Sequence, residues 1–395
     1  MSLFRNFIPT KNNYQYLNTI LPIKPYAMST LKSDYSKDNY CIILAGGKGR
    51  RLWPSSREGR PKQFIDFFGT GRSLLQSTFD RMANIVPQDH IYICTGAEYV
   101  HWVKEQLPNL NEHCLMVEPV NRNTAGSVAW AMLNIQKINM TANIVIVPSD
   151  QFITDEEAFR KNIIEGFDLV ARQHMALIMG IKPSRPEPGY GYIQMGSDSI
   201  QENVFAIQSF VEKPEREFAR LFMESGEFLW NTGIILCGAT YLRECLRKLF
   251  FELFAPGMCE NHDYTIEQII DFIERNYASL PNIAIDQGVL QQSDNVYVMK
   301  CSFGWADIGT WHSIYEGMQK TDGDNVVLDS KVIMEDCRNN IICLPKGHIG
   351  VINGLEGYII AEQDNMLLIC PKEDSSALIR KYVNEVGIKY GDEYI

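Results

Sequence analysis

The residues best suited to chemistry cluster first around a turn, Ala45-Gly46-Gly47-Lys48-Gly49-Arg50-Arg51. It ends the apolar run at residues 41–44 and is followed, past Pro61, by Lys62. Glycines without a Cβ let backbone N–H groups come close to an oxyanion, and the cations around them neutralise several charges at once. A polyphosphate suits this composition; the plainer reading is a structural tight turn. Two well-known phosphate-binding patterns are excluded. No Lys-Ser or Lys-Thr pair follows the glycines at P-loop spacing, and Leu52 stands where a dinucleotide fingerprint needs its third glycine.

Carboxylates and carboxamides further along carry the next possibilities. Asp150 directly follows the clearest buried-strand pattern, residues 143–147. There an aspartate serves either as a helix N-cap or as a metal ligand, and its hard oxygens suit magnesium, which takes only one or two carboxylates when phosphates supply the rest. Asp307 lies inside Trp305-Ala306-Asp307-Ile308-Gly309-Thr310-Trp311. A structural tryptophan pair accounts for the aromatics there, but not for a carboxylate followed by glycine. Glu212 and Lys213, closed by Pro214, read as a solvated charge pair unless the chain bends, because neighbours on an extended run face opposite ways. Asn231 offers both a donor and an acceptor, which matches a pair of hydroxyls. Asn123 or Thr124 opens a helical pattern and by type is an N-cap. Gly189 and Gly191 flank Tyr190 in a proline-rich loop, either an ordinary turn or a place of close backbone approach.

The elements that must position these groups alternate. A helix is expected over residues 73–82, strands over 90–94 and 114–117, a helix over 127–137, and strands over 143–147 and 176–180. Strand, helix, strand in this rhythm predicts an α/β fold over residues 39–320: a Rossmann-like mixed, mostly parallel sheet with ligands at the carboxyl ends of its strands. From Asn325 the texture changes to short strands at 326–328, 332–334, 341–344, 349–352, 358–361 and 366–370, with a closing helix over 374–386. That pattern predicts a small C-terminal β domain over residues 325–395, a β-roll or a partial β-helix.

Composition bounds the partners. The 395 residues are 45% hydrophobic and carry a net charge of −11, which argues against nucleic acid or an anionic membrane surface as a general partner. Anionic substrates would then need local cations or a divalent metal. Ten cysteines occur without a Cys-x-x-Cys pair, and the seven histidines lack His-x-x-x-His spacing. Buried free thiols in a reducing, cytoplasmic compartment are expected, and no zinc site. No stretch has the apolar length of a membrane span. Residues 1–38 carry Arg5, Lys11, Lys24 and Lys32 before the first acid, Asp34, and are expected to be a disordered leader.

Taken together, the motifs resemble a family. Gly-Gly-x-Gly-x-Arg-Leu-Trp-Pro-x-Ser-Arg followed by Pro-Lys-Gln-Phe is similar to the signature of sugar-1-phosphate nucleotidyltransferases, most closely the mannose-1-phosphate guanylyltransferases. Glu-Pro-x-x-Arg-Asn-Thr-Ala at 118–125, Pro-Ser-Asp at 148–150, Tyr-Gly-Tyr-Ile at 190–193, Phe-Val-Glu-Lys-Pro at 210–214, Trp-Asn-Thr-Gly-Ile at 230–234 and the Asp307 segment extend the likeness. The resemblance implies transfer of GMP from GTP to α-D-mannose 1-phosphate, with magnesium (Mg2+) held by Asp150 and Asp307. It implies that Arg51 holds the β and γ phosphates and Lys62 the α phosphate. Ala45, Gly46, Gly47, Gly49, Glu118, Arg122, Asn123 and Thr124 would surround the nucleotide. Gly191, Glu212, Lys213 and Asn231 would surround the sugar phosphate, and the C-terminal domain would join a homodimer. Gly126 replaces the family's usual proline, Gln151 its histidine, and Gln291 and Gln292 a Glu-Lys pair. The competing readings are a uridylyl or thymidylyl transferase acting on glucose 1-phosphate, and a catalytically silent homologue that binds GDP-mannose and regulates a partner. The presence of Arg51, Lys62, Asp150 and Asp307 argues against the second.

Overall fold

The computed structural model describes residues 37–254 and 265–395, which belong to one compact unit. The leader expected over residues 1–38 lies outside the described residues except for its last two positions. Strands β1 (Asn39–Leu44), β2 (Ile91–Gly96), β3 (Leu115–Glu118), β4 (Asn143–Pro148), β5 (Gln151–Ile153), β6 (Ala176–Ile181), β7 (Gly191–Gln201), β8 (Val204–Glu212), β9 (Phe228–Gly238), β10 (Val296–Cys301) and β11 (Trp305–Asp307) come first. All but β5 and β11, which pair with each other, join one sheet in the order β3-β2-β1-β4-β9-β6-β10-β8-β7.

The sheet is a middle layer. Along β1, Tyr40 and Ile42 face the core under the helices Asn123–Ile138 and Ala239–Phe254, while Cys41 and Ile43 face the helices Leu74–Ala83 and Glu156–Val170. Ile144 and Val145 on β4 divide in the same way. Period-2 alternation between two apolar layers explains why these strands read as unbroken hydrophobic runs. Parallel pairing is confined to β3-β2-β1-β4 and to β6-β10; every pair involving β7, β8 or β9 is antiparallel. The expectation of a mostly parallel sheet is corrected accordingly. For β7 and β8 the cause is local: the turn joining them is too short for a crossover, so they form a hairpin.

Six further strands follow: β12 (Val326–Leu328), β13 (Lys331–Glu335), β14 (Ile341–Cys343), β15 (Ile349–Asn353), β16 (Tyr358–Gln363) and β17 (Met366–Pro371). β12, β14 and β16 stack in parallel, β17 closes them antiparallel, and β13 pairs in parallel with β15. Buried amides hold the rungs in register. Asn340 donates its Nδ2 to Asn325 Oδ1 at 2.9 Å, and its own Oδ1 accepts from Tyr358 N at 2.8 Å. A buried carboxamide satisfied on both sides fixes spacing where apolar contacts alone would allow slip. The outer face of β13 and β15 carries Ile333, Ile349 and Val351, which are 62%, 71% and 74% exposed. The helix Ser375–Tyr390 then packs Ile379 and Val383 against Leu52 and Trp53, so the signature segment and the C-terminal strands share one apolar cluster. Among the described residues, nine cysteines are present and none is paired, and no helix is long and apolar enough to cross a membrane.

Candidate active site

The glycine-rich turn leaves β1 and is fixed at its base. Ala45 N donates to Cys94 O at 2.8 Å, and Gln63 Nε2 donates to Ala45 O at 3.0 Å and Gly47 O at 3.2 Å. Gln63 is thus the peg of the loop, a role that Pro-Lys-Gln-Phe did not disclose. Gly47 and Gly49 adopt φ of 97° and 61°, the left-handed region. At Gly49 a Cβ would also overlap Ser56 Oγ and sit 3.2 Å from Lys62 N, so glycine is required twice over. From below, Trp53 Nε1 donates to Tyr394 O at 2.7 Å, Glu58 N donates to Ile395 O at 3.0 Å, and Trp311 Nε1 donates to Trp53 O at 3.1 Å.

The loop's cations divide into two sets. Lys48 and Arg50 both pair with Glu58, Lys48 at 3.0 Å. Arg51 and Lys62 face the carboxylates instead. Lys62 Nζ lies 2.6 Å from Asp150 Oδ2 and 3.8 Å from Asp307 Oδ1, and a Cβ added at Gly309 would lie 3.4 Å from Arg51 and 2.7 Å from Asp307. The backbone brings the two aspartates together. Ser149 N donates to Leu44 O at 3.1 Å, which sets Asp150 beside the loop. Asp307 on β11 is the register partner of Gln151 on β5, and Ile308 N donates to Asp150 O at 3.0 Å.

Electrostatics follow this packing. Burial works to lower the Lys62 pKa, but Asp150 and then Asp307 outweigh it and hold the ammonium above its usual range. Burial raises the Asp307 carboxyl; Lys62 opposes this, and the neighbouring Asp150 adds to it, leaving a net rise. Among the described residues no cluster of three or more acidic, histidine or cysteine side chains could hold a metal by itself. Two close carboxylates do fit magnesium when phosphate oxygens complete its shell.

The candidate sugar-phosphate residues meet one strand apart. Gly191 is the register partner of Glu212, and a Cβ there would lie 2.7 Å from Glu212 Oε2 and 3.4 Å from Asn231 Cβ. Lys213 has φ of 47°, which supplies the bend that lets it pair with Glu212. Asn231 Oδ1 accepts from Gly233 N at 2.9 Å, and its Nδ2 donates to Asp286 Oδ2 at 3.1 Å. Asp286 was not among the sequence candidates. Its signal was a lone acid ahead of the Gln291-Gln292 departure.

Among the candidate nucleotide residues, neither Asn123 nor Thr124 caps its helix; Arg122 holds the N-cap position without a side-chain cap. Thr124 Oγ1 instead accepts from Ile285 N at 2.8 Å, and Arg122 donates to Ala278 O. Glu118 is buried, which raises its carboxyl pKa, while hydroxyls of Ser127 and Tyr277 work against the rise. Gln151 turns its Nε2 to Thr232 O, and Gly126 admits Leu280 and Tyr277, which a Cβ would meet at 3.3 and 3.5 Å.

A glycine turn with cations, two neighbouring carboxylates on Lys62 and a polar corner at Gly191, Glu212 and Asn231 can hold phosphates and hydroxyls. The chain belongs to the nucleotidyl transferase family, whose model matches residues 40–323. It is 33% identical over 361 residues to a mannose-1-phosphate guanylyltransferase of Salmonella muenchen, covering 89% of this chain and 74% of that protein. It is also 33% identical to the alginate biosynthesis protein AlgA of Pseudomonas aeruginosa, covering 84% and 69%. Among solved structures, one described as mannose-1-phosphate geranyltransferase from Thermus thermophilus superposes with a TM-score of 0.74 at 26% identity, over 88% of this chain and 99% of that one.

Proposed function

We propose that this nucleotidyltransferase moves GMP from GTP to α-D-mannose 1-phosphate, forming GDP-mannose and pyrophosphate. The observation that carries the reading is Lys62 set between Asp150 and Asp307, with Arg51 of the glycine turn beside them. The names of the relatives, mannose-1-phosphate guanylyltransferase among them, support the choice of sugar and base.

The sugar phosphate oxygen attacks the α-phosphorus, and the bond from that phosphorus to the bridging oxygen of pyrophosphate breaks. No side-chain nucleophile is required, because the attacking oxygen is already anionic; positioning and charge neutralisation lower the barrier. Lys62 holds its proton throughout, since the aspartates keep it charged, and meets the negative charge that builds at the α phosphate. Arg51 takes the β and γ phosphates, with N–H groups of Ala45, Gly46, Gly47 and Gly49 along the turn. Glu118, Arg122, Asn123 and Thr124 flank the nucleoside. Gly191, Glu212, Lys213 and Asn231 hold the sugar phosphate. Asp150 and Asp307 would hold magnesium, which when bound supplies Lewis-acid charge to the phosphate oxygens.

Residues 39–320 act as the catalytic domain and 325–395 as a partial β-helix with a closing helix. The parallel rungs β12-β14-β16 and β13-β15 support that division. The exposed Ile333, Ile349 and Val351 suit a homodimer through this domain. A cytoplasmic location follows from the biosynthetic role. The test is pyrophosphate release from the purified protein with magnesium, each nucleoside triphosphate and several hexose 1-phosphates. GTP with mannose 1-phosphate should give the highest kcat/KM; a higher value for UTP or dTTP with glucose 1-phosphate overturns the reading.

A further inference from the structure

The segment 283–288 bridges the two halves of the site. Ala125 N donates to Ile283 O at 3.0 Å, and Ile285 N donates to Thr124 Oγ1 at 2.8 Å, which ties it to the nucleotide side. The next residue, Asp286, accepts from Asn231 Nδ2 at 3.1 Å, which ties it to the sugar side. Its other oxygen accepts from Gln287 N at 2.9 Å. Gly288 is needed for this tight passage, since a Cβ there would overlap Ile283 Cγ2.

Asn231 is held at both ends of its carboxamide, with oxygen towards Gly233 N and nitrogen towards Asp286. That fixes which way the amide faces and leaves one N–H for a ligand. Asp286 keeps lone pairs free beyond these two bonds. Its carboxyl is pushed up by burial, and the charge of Glu212 adds to the rise against the opposing N–H of Gln287. One half-buried carboxylate, Asp286, and one exposed carboxylate, Glu212, therefore converge on one corner beside an oriented amide. A guest that donates hydroxyls to both and accepts from the amide satisfies all three groups, and a hexose ring does so.

We propose that Asp286 is a specificity-determining residue of the sugar site, its carboxylate accepting a ring hydroxyl of the hexose 1-phosphate beside Glu212 while its bond to Asn231 sets the carboxamide. The inference rests on the sugar-phosphate reading of Glu212 and Asn231 above. It makes Asp286 a substrate contact as well as a positioning residue.

The experiment is a cycle between protein variants and monodeoxy analogues of the hexose 1-phosphate, followed by pyrophosphate release with GTP and magnesium. Asp286→Asn keeps the shape and, with its single oxygen turned to Asn231 Nδ2, keeps that bond while giving up the one from Gln287 N. It should raise KM for mannose 1-phosphate by roughly 10–100-fold, the loss of one charge-assisted hydrogen bond, with KM for GTP changed by less than about threefold. One deoxy analogue should lose a similar factor with the unaltered protein and lose nothing further with the variant. Asp286→Glu, which keeps the charge and moves it by one methylene, is the second variant and should raise the same KM with the melting temperature unchanged. Full additivity for every analogue, or an unchanged sugar KM in both variants, overturns the proposal. If the unaltered protein prefers a different hexose 1-phosphate, the choice of mannose fails, and the same cycle with that sugar's deoxy analogues still decides the role of Asp286.

Discussion

Replacing Lys62 by methionine removes one charge from a triad and leaves two carboxylates facing each other. At 2.6 and 3.8 Å, the gross attractions of Lys62 to Asp150 and Asp307 are about 6 and about 4 kcal/mol at an effective dielectric constant of ~20. Much of that offsets desolvation. The three side chains are 12%, 25% and 31% exposed, between a fully buried pair and a surface one. Breaking a buried pair costs about 3–5 kcal/mol and an exposed pair about 0–1, which places Lys62→Met near 2–3 kcal/mol of stability. Turnover should fall by about two to three orders of magnitude, as when one preorganised stabilising group is deleted. A further signature separates this from general damage: with the ammonium gone, magnesium meets two unneutralised carboxylates and should raise the melting temperature of the variant more than that of the unaltered protein. The assays are pyrophosphate release and thermal melting with and without magnesium chloride. Turnover within tenfold of the unaltered protein, or an equal magnesium effect on both, refutes the reasoning.

Asp307→Asn should have opposite effects on stability and activity. The folded-state pKa of Asp307 is raised, so its charge costs stability above that pKa, and the cost disappears as pH falls below the unfolded value. The variant should therefore melt higher than the unaltered protein at pH 7.5 without metal, match it near pH 3.5, and turn over at least about a hundredfold more slowly. Gly49→Ala should cost about 1–2 kcal/mol for its left-handed backbone alone, with added crowding from Ser56 and Lys62, and should raise KM for GTP more than for the sugar phosphate, as steady-state kinetics would show. Ile333→Asp together with Val351→Lys should shift the protein to monomer in size-exclusion chromatography with light scattering while leaving the melting temperature nearly unchanged, because both side chains are exposed.

What the sequence disclosed was largely continuous in the chain. The turn after β1 and Asp150 after β4 were legible because an apolar strand directly precedes each, and strand ends are where polar groups must do something. The C-terminal strands were legible from turn residues such as Asp329, Asp336 and Asn339, all of which adopt positive φ. The meeting of Asp150 and Asp307 was implied by resemblance, but its route was not, because β5 is three residues long and has no period of its own. Strand direction was hidden for a related reason: β9 is as apolar as β4, and burial says nothing of polarity. Asp286 escaped because its partner, Asn231, is 55 residues away and the departures at Gln291 and Gln292 drew the reading of its segment. The cap expected by residue type at Asn123 or Thr124 does not form, because Ile285 N takes the Thr124 hydroxyl only in the folded chain.

Trp53 meets Tyr394 across 341 residues, and the helix Ser375–Tyr390 packs behind the turn that carries Arg51. During synthesis, the motif that announces this enzyme therefore leaves the ribosome long before the segment that props it. A nascent chain halted after Trp311 would contain all the residues assigned here to nucleotide and sugar and still lack that prop. Until that helix folds back, the turn lacks the contacts that hold it from below.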